Sequence, residues 1–216
     1  MNITFLETDK LKDISSDILL PNGKMKLLSY KEYEKYPHPD LQFFCHQYGR
    51  YGIPTLELIQ YLRSKIGHKY AIEIGSGNGD LGYHLGIHMT DSKQQSQPKI
   101  KKWYEMHGQP TIKYPEDVEK IEALDAVKKY NPQVVIASWV TPYSPWKVSY
   151  SSNPCGVQEN RILSLVETYI LIGNLDVHGD RPLLKRKNTV INEPFIISRA
   201  SNPEKNRIFL WKKEND

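Results

Sequence analysis

Lys69-Tyr70-Ala71-Ile72-Glu73-Ile74-Gly75-Ser76-Gly77-Asn78-Gly79 is the stretch that decides the fold. Its first six residues are a short, mostly apolar run ending in glycines, the pattern of a buried strand. Glycines at alternate positions then let the chain reverse tightly and let its backbone approach a ligand; a side chain at Gly75 or Gly77 would occupy the ligand's space. The spacing differs from the dinucleotide pattern Gly-x-Gly-x-x-Gly, because the third glycine comes one residue early. Glu73, inside the strand, would repel a pyrophosphate but suits a ligand with a charged amino-acid end. The alternative reading is an ordinary glycine-rich strand-to-helix turn.

Upstream of this strand, Leu58, Leu62 and Ile66 recur at four-residue spacing with Ile59 beside them, a helical stripe that Gly67 should stop. Residues 1–53 read as an irregular N-terminal extension, with clustered Tyr, Lys and Pro, that folds over a pocket or lies on the surface as an arm. Within it, Tyr48-Gly49-Arg50-Tyr51-Gly52 is placed by position to close over a ligand.

Downstream, helical character returns at Asp80–Leu85, and a second strand, Ile87-His88-Met89-Thr90, ends at Asp91. At the end of a neighbouring strand, the Asp91 carboxylate can accept hydrogen bonds from both hydroxyls of a ribose. Thr111-Ile112-Lys113-Tyr114 is expected as the third strand. Asp117, opening Asp117-Val118-Glu119, can accept from the exocyclic amine of an adenine or cap the helix whose face is Ile121, Leu124 and Val127. Val134–Val140 is β-branched and apolar, the clearest strand in the chain. Further on come a helix carrying Ile162, Leu163 and Val166, then a strand, Thr168–Ile172. The last two strands, Pro194–Ser198 and Arg207–Trp211, are separated too briefly for a crossover helix and should pair antiparallel. Strands alternating with helices before a terminal hairpin imply a mostly parallel sheet with one reversed strand.

The turn, the strand-end acid and the acid–apolar–acid segment together resemble the first three motifs of class I S-adenosylmethionine-dependent methyltransferases. The resemblance covers roughly Leu56 to Trp211 and is concentrated between Tyr70 and Asp91. It implies an α/β, Rossmann-like, doubly wound sheet of order 3-2-1-4-5-7-6 with the last strand antiparallel, formed by a donor-binding domain at 54–216. It also implies S-adenosylmethionine as cofactor. Glu73, Gly75, Ser76, Gly77, Asn78 and Gly79 would hold the methionine moiety, Asp91 the ribose, and Asp117 with the Val118 amide the adenine. Ser138, at the end of the fourth strand, joins the donor-binding set. Two departures stand out: Gly82 and Gly86 weaken the helix after the turn, and Ser92–Gly108 is longer and more polar than a usual link.

On the acceptor side, adenine-methylating enzymes place Asn/Asp-Pro-Pro-Tyr/Phe after the fourth strand. Thr141-Pro142-Tyr143 echoes this but lacks the amide or acid, which disfavours nucleic acid and favours a small-molecule acceptor. Trp139, Tyr143 and Trp146 would line an aromatic pocket or pack in the core. His178, beyond the fifth strand, is the candidate general base, with Tyr143 a weaker catalytic candidate. A donor-binding partner subunit without transfer chemistry, and a nicotinamide-dependent oxidoreductase, are the competing readings.

Composition narrows the field. The 216 residues suffice for one substantial domain, and the net charge of +4 falls short of a dedicated nucleic-acid binder. His84 and His88 straddle a helix-to-strand break and make a poor metal pair, so no metal is expected. Two distant cysteines, Cys45 and Cys155, no apolar run of membrane-spanning length and no basic-then-apolar start suggest a reducing cytosol and no membrane partner.

Overall fold

Leu58, Ile59, Leu62 and Ile66 are all buried, on one face of a helix that Thr55 caps through the Leu58 amide and Gly67 ends at φ +59°. A computed structural model of the protein describes residues 11–145 and 153–213. In chain order the elements begin with α1 (Ser15–Ile18), α2 (Tyr30–Tyr33), α3 (His38–Gln47), β1 (Gly52–Ile53) and α4 (Leu56–Ile66), the helix just described. The glycine-bearing strand is β2 (Ala71–Ile74), followed by α5 (Asp80–Leu85), β3 (His88–Asp91), α6 (Pro98–Met106), β4 (Val118–Lys120), α7 (Ala123–Tyr130) and β5 (Val134–Ser138). Beyond these lie α8 (Glu159–Leu165), β6 (Thr168–Asn174), α9 (Leu175–His178), β7 (Thr189–Ile191), β8 (Ile197–Ser198) and β9 (Asn206–Lys212).

Seven strands form one sheet in the order β4-β3-β2-β5-β6-β9-β7. The pairs from β4 through β6 are parallel, and β9 runs antiparallel to both β6 and β7. Numbered in chain order within the sheet, this is 3-2-1-4-5-7-6, the Rossmann-like arrangement. The winding direction reverses between β2 and β5, where a ligand crevice is expected at the carboxyl ends of the strands. Leu124, Val127, Ile162 and Val166 pack on one face of the sheet. The α4 stripe, with Leu81 and Leu85 of α5, packs on the other. A third cluster, including Ile14, Ile18, Met25, Tyr33, Phe44 and Ile53, gives the N-terminal segment its own apolar interior. Among the described residues no helix is long and apolar enough to cross a membrane.

Two strand expectations are corrected. The third strand of the sheet is Val118–Lys120, paired with Met89–Asp91, and Thr111–Tyr114 is irregular. Pro110 and Pro115 bracket that segment without amide protons, and the Ile112 N–H donates to the Gln95 side chain at 2.9 Å instead of to a ladder. The hairpin segment that pairs with the last strand is Thr189–Ile191, not Pro194–Ser198. Ile197 and Ser198 pair with Ile53 and Gly52 in a separate two-stranded sheet. Asn206 explains the diversion: its Nδ2 donates to the Ile196 carbonyl at 2.7 Å, and its Oδ1 accepts from Ser198 Oγ at 2.9 Å. These side-chain bonds hold the segment off the ladder of β9.

Candidate functional site

Gly75, Gly77 and Gly79 have φ of +59°, +55° and +69°. A side-chain-bearing residue in this left-handed region costs roughly 1–2 kcal/mol, so the alternation of glycines follows from the shape of the turn. The turn is fastened to the end of β3. Ser76 N–H donates to the Thr90 carbonyl at 3.0 Å, and Thr90 N–H donates to Ser76 Oγ at 3.1 Å. Asp91 completes the fastening, Oδ2 accepting from Gly77 N–H at 2.9 Å and Oδ1 from Lys93 N–H at 2.7 Å. Burial raises the Asp91 carboxyl above its ordinary value, against these two amides and the Tyr114 hydroxyl. Glu73 is fully enclosed, its Oε2 accepting from Gly82 N–H at 2.9 Å. Burial pushes it up to about 8, against hydrogen bonds from Gly82 and Ser76. Gly82 is required here, because a Cβ at that position would lie 2.7 Å from Glu73 Oε2.

The side chains standing on the turn come from distant parts of the chain. A Cβ added at Gly75 would fall 2.6 Å from Val140 Cγ1, at Gly77 3.3 Å from Ile112 Cδ1, and at Gly79 2.8 Å from Lys24 Nζ. Lys24 is buried and donates to the Asn78 carbonyl and to Asp117 Oδ1, both at 3.0 Å. Arg50 Nε meets Asp80 Oδ2 at 2.8 Å, its Nη2 donates to the Gly23 carbonyl at 2.7 Å, and Met25 N–H donates to Asp80 Oδ1 at 2.8 Å. The N-terminal segment is thereby clamped to the first turn of α5. Beside the Ile112 segment lies a cavity of about 410 Å³ lined by Gln47, Gln95, Ile112 and Lys113 among others.

The atoms nearest the missing Cβ positions on Gly75, Gly77 and Gly79 include no backbone. Ile112 is a side chain that can swing away, whereas a backbone wall would not yield. The Asp91 carboxylate has about four acceptor sites, of which backbone amides use two.

At the neighbouring strand ends, Ser138 closes β5 and Trp139 follows it with φ +59°, a strained conformation for a bulky residue. Trp139 is held by its N–H to the Ile172 carbonyl at 2.9 Å, and Val140 by Arg181 Nη2, which donates to the Val140 carbonyl at 2.8 Å. Arg181 is itself buried and paired with Glu159 at 2.5 Å; Glu159 also accepts from the Tyr169 hydroxyl at 2.9 Å. His178 is fully buried, and its ring meets Trp139 edge-on at 5.1 Å between centroids. Its Nδ1 accepts from Asn174 N–H at 2.9 Å. Burial, with the Arg181 charge, lowers its pKa to about 3, so the ring is neutral.

The tertiary structure thus brings Glu73, Gly75–Gly79, Asp91, Ser138 and His178 to the carboxyl ends of β2, β3, β5 and β6. Asp117 does not: it precedes Val118 at the amino end of β4, level with His88, and pairs there with Lys24, while the Val118 N–H donates to the Pro115 carbonyl at 3.3 Å; the expected adenine pair is corrected, because the strand begins at Val118 instead of ending at Tyr114. Tyr143 is 44% exposed, on a loop segment bridged to Asn153 and Val157. Trp146 lies outside the described residues. Sequence reasoning missed Lys24, Asp80, Ile112, Arg181 and Arg199. Only Arg50 carried a signal, as part of the Tyr48–Gly52 segment.

No family model matches the chain, and no curated protein matches it. Among solved structures it is similar to a hypothetical protein of Thermus thermophilus, at 16% identity over 73% of this chain and 83% of that one, TM-score 0.38. It is also similar to precorrin-6y C5,15-methyltransferase of Geobacter metallireducens GS-15, at 10% identity over 74% and 90%, TM-score 0.39. A third is ribosomal protein L11 methylase of Lactobacillus delbrueckii subsp. bulgaricus, at 12% identity over 73% and 79%, TM-score 0.32. At such identities and scores the fold assignment rests on the strand order and register of this chain itself.

Proposed function

We propose that this protein binds S-adenosylmethionine at the glycine turn and transfers its methyl group to an acceptor, with a small molecule favoured. The observation that carries the reading is the conjunction at the switch point. Three left-handed glycines follow the central strand, and the neighbouring strand ends in Asp91, whose carboxylate already grips the middle glycine's amide. When bound, the donor supplies a methyl group activated by a sulfonium, so aligning the acceptor contributes much of the rate.

The chain's own residues divide the work in this reading. Gly75, Gly77 and their neighbours Ser76, Asn78 and Gly79 give the amino-acid end close backbone contact, while Glu73, fully buried beneath and protonated below about pH 8, holds the Gly82 amide. Asp91 takes the ribose hydroxyls as Tyr114 withdraws from it. Asp117 and the Val118 amide, at the amino end of β4, stay outside the donor site. Ser138 and Trp139 bound the transfer path. Residues 54–216 carry the donor site, and residues up to 53 cap it through Lys24 and Arg50. His178 positions rather than deprotonates, since a neutral ring with Nδ1 occupied and a pKa near 3 makes a weak base. The acceptor therefore arrives as a nucleophile that needs little help losing a proton.

One observation favours a second reading, a donor-binding partner subunit: neither His178 nor the exposed Tyr143 offers a poised base. Calorimetric titration with S-adenosylhomocysteine tests binding, with a nicotinamide dinucleotide as control. Saturable uptake of the first alone is expected, and its absence would remove both readings. Formation of S-adenosylhomocysteine from the methylated donor in the presence of candidate acceptors then separates enzyme from subunit.

A further inference from the structure

Four buried side-chain polar atoms have no hydrogen-bond partner among the described residues: His178 Nε2, Asn188 Oδ1, Arg199 Nη1 and Trp211 Nε1. Two of the four stand at opposite ends of one run of rings. The His178 ring meets Trp139 at 5.1 Å, Trp139 meets the Tyr51 ring at 6.2 Å, and the Arg199 guanidinium lies 3.9 Å above the centre of Tyr51. Trp139 is the residue in the strained backbone conformation at the end of β5. Unpaired buried polar groups are rare in folded proteins, and strained residues concentrate where ligands bind.

Both orphans are donors. Arginine carries no acceptor. In His178 the lone pair of Nδ1 takes the Asn174 N–H, the shorter of its two contacts, which assigns the ring proton to Nε2. Leaving such groups unmatched is costly, more so for a charged one.

The two buried arginines are treated differently. Arg50 is paired with Asp80 and Arg181 with Glu159. Among the described residues no carboxylate pairs with Arg199. Its backbone, by contrast, is firmly held: the N–H donates to the Tyr51 carbonyl at 3.1 Å, and the carbonyl accepts from Gln42 Nε2 at 3.2 Å. Beyond the Tyr51 ring, the Arg199 charge faces Cys45, His46 and Tyr104, none of them a carboxylate. Gln95 Nε2 donates to the Tyr51 hydroxyl at 3.5 Å and to the Tyr104 hydroxyl at 3.2 Å. With one face on Tyr51 and Nη1 unpartnered, Arg199 keeps a donor for an oxygen of a planar or tetrahedral anion.

We infer that Arg199, stacked on Tyr51 beside Trp139, forms a binding site for an anionic oxygen group, a carboxylate or phosphate, on a molecule seated near the end of β5. The inference builds on the donor-binding reading by naming the chemistry of the group at its acceptor side. Two molecules can bring such a group: the donor, through its amino-acid carboxylate, or the acceptor.

The test compares the intact protein with Arg199→Gln and the charge-preserving Arg199→Lys, each first checked for an unchanged melting profile. S-adenosylhomocysteine, methylthioadenosine (which lacks the carboxylate), inorganic phosphate and acetate are titrated by calorimetry and Trp fluorescence. A loss of about tenfold or more for S-adenosylhomocysteine in Arg199→Gln, with methylthioadenosine unaffected, supports the site with the donor as the source. Unchanged S-adenosylhomocysteine affinity with loss of phosphate or acetate binding to the loaded protein supports it with the acceptor as the source. Arg199→Lys should retain part of the affinity in either case. If every probe binds Arg199→Gln as it binds the unaltered protein, the site is overturned. If the unaltered protein ignores S-adenosylhomocysteine yet takes phosphate in an Arg199-dependent way, the anion site stands and the donor reading falls.

Discussion

Replacing Asp80 with Ala should be among the most damaging single changes in the described part of the chain. Asp80 and Arg50 are both buried and joined by contacts of 2.8 and 3.4 Å. Asp80 also accepts the Met25 N–H at 2.8 Å and sits in the first turn of α5, where a carboxylate favours the free amides. Removing one member of a buried ion pair strands the other charge, at about 3–5 kcal/mol. The unmatched Met25 amide adds on the order of 1–3 kcal/mol, only partly additive because the groups share a site. A net loss of about 4 kcal/mol corresponds, for a chain of this size, to a melting midpoint lower by roughly 8–16 °C. Scanning calorimetry measures it directly. Adding Arg50→Met to Asp80→Ala removes the stranded cation and should recover about 1–3 kcal/mol. A loss of less than about 1 kcal/mol for Asp80→Ala, or a double variant no more stable than the single, would refute a buried ion pair of this weight.

Glu73→Gln should become progressively more stable than the unaltered protein as pH rises. The unfolded carboxyl ionises near 4.5, whereas the folded one keeps its proton to about 8, so the unaltered protein loses stability across that interval, by at most about 1.4 kcal/mol per pH unit. Parallel melting curves from pH 5 to 8 would contradict the burial argument. Gly77→Val should lose S-adenosylhomocysteine binding and destabilise the turn by about 1–2 kcal/mol, since a valine at φ +55° is strained and its Cβ meets Ile112; a normal titration would refute the cradle. Asp91→Ala should weaken the same ligand roughly 10- to 150-fold, the equivalent of about 1.5–3 kcal/mol for bonds to a charged group, and unchanged affinity would take Asp91 out of the ribose role.

The strands and helices that the sequence announces are those whose pattern is local. Ala71–Ile74 and Val134–Ser138 are apolar runs buried on both faces, and the α4 stripe repeats every turn. Val118–Lys120 and Thr189–Ile191 were not legible because each is three residues long, and β7 exposes two of its three. With so little pattern to read, the more apolar segments at Thr111–Tyr114 and Pro194–Ser198 attract the assignment. Their fate is decided by Gln95 and Asn206, whose side-chain bonds draw them away from the ladders.

What the sequence alone determined is the turn and its acid. Backbone geometry at Gly75, Gly77 and Gly79 is a property of residues without a Cβ, and Asp91 follows from strand length. Which charges meet over that turn was settled only by tertiary structure. Lys24 reaches Asn78 and Asp117 across 54 and 93 residues, and Arg50 reaches Asp80 across 30. Arg199 reaches no carboxylate among the described residues. Partners so far apart share no local periodicity, so packing of the N-terminal segment against the sheet decides which cations are neutralised and which is left to a ligand.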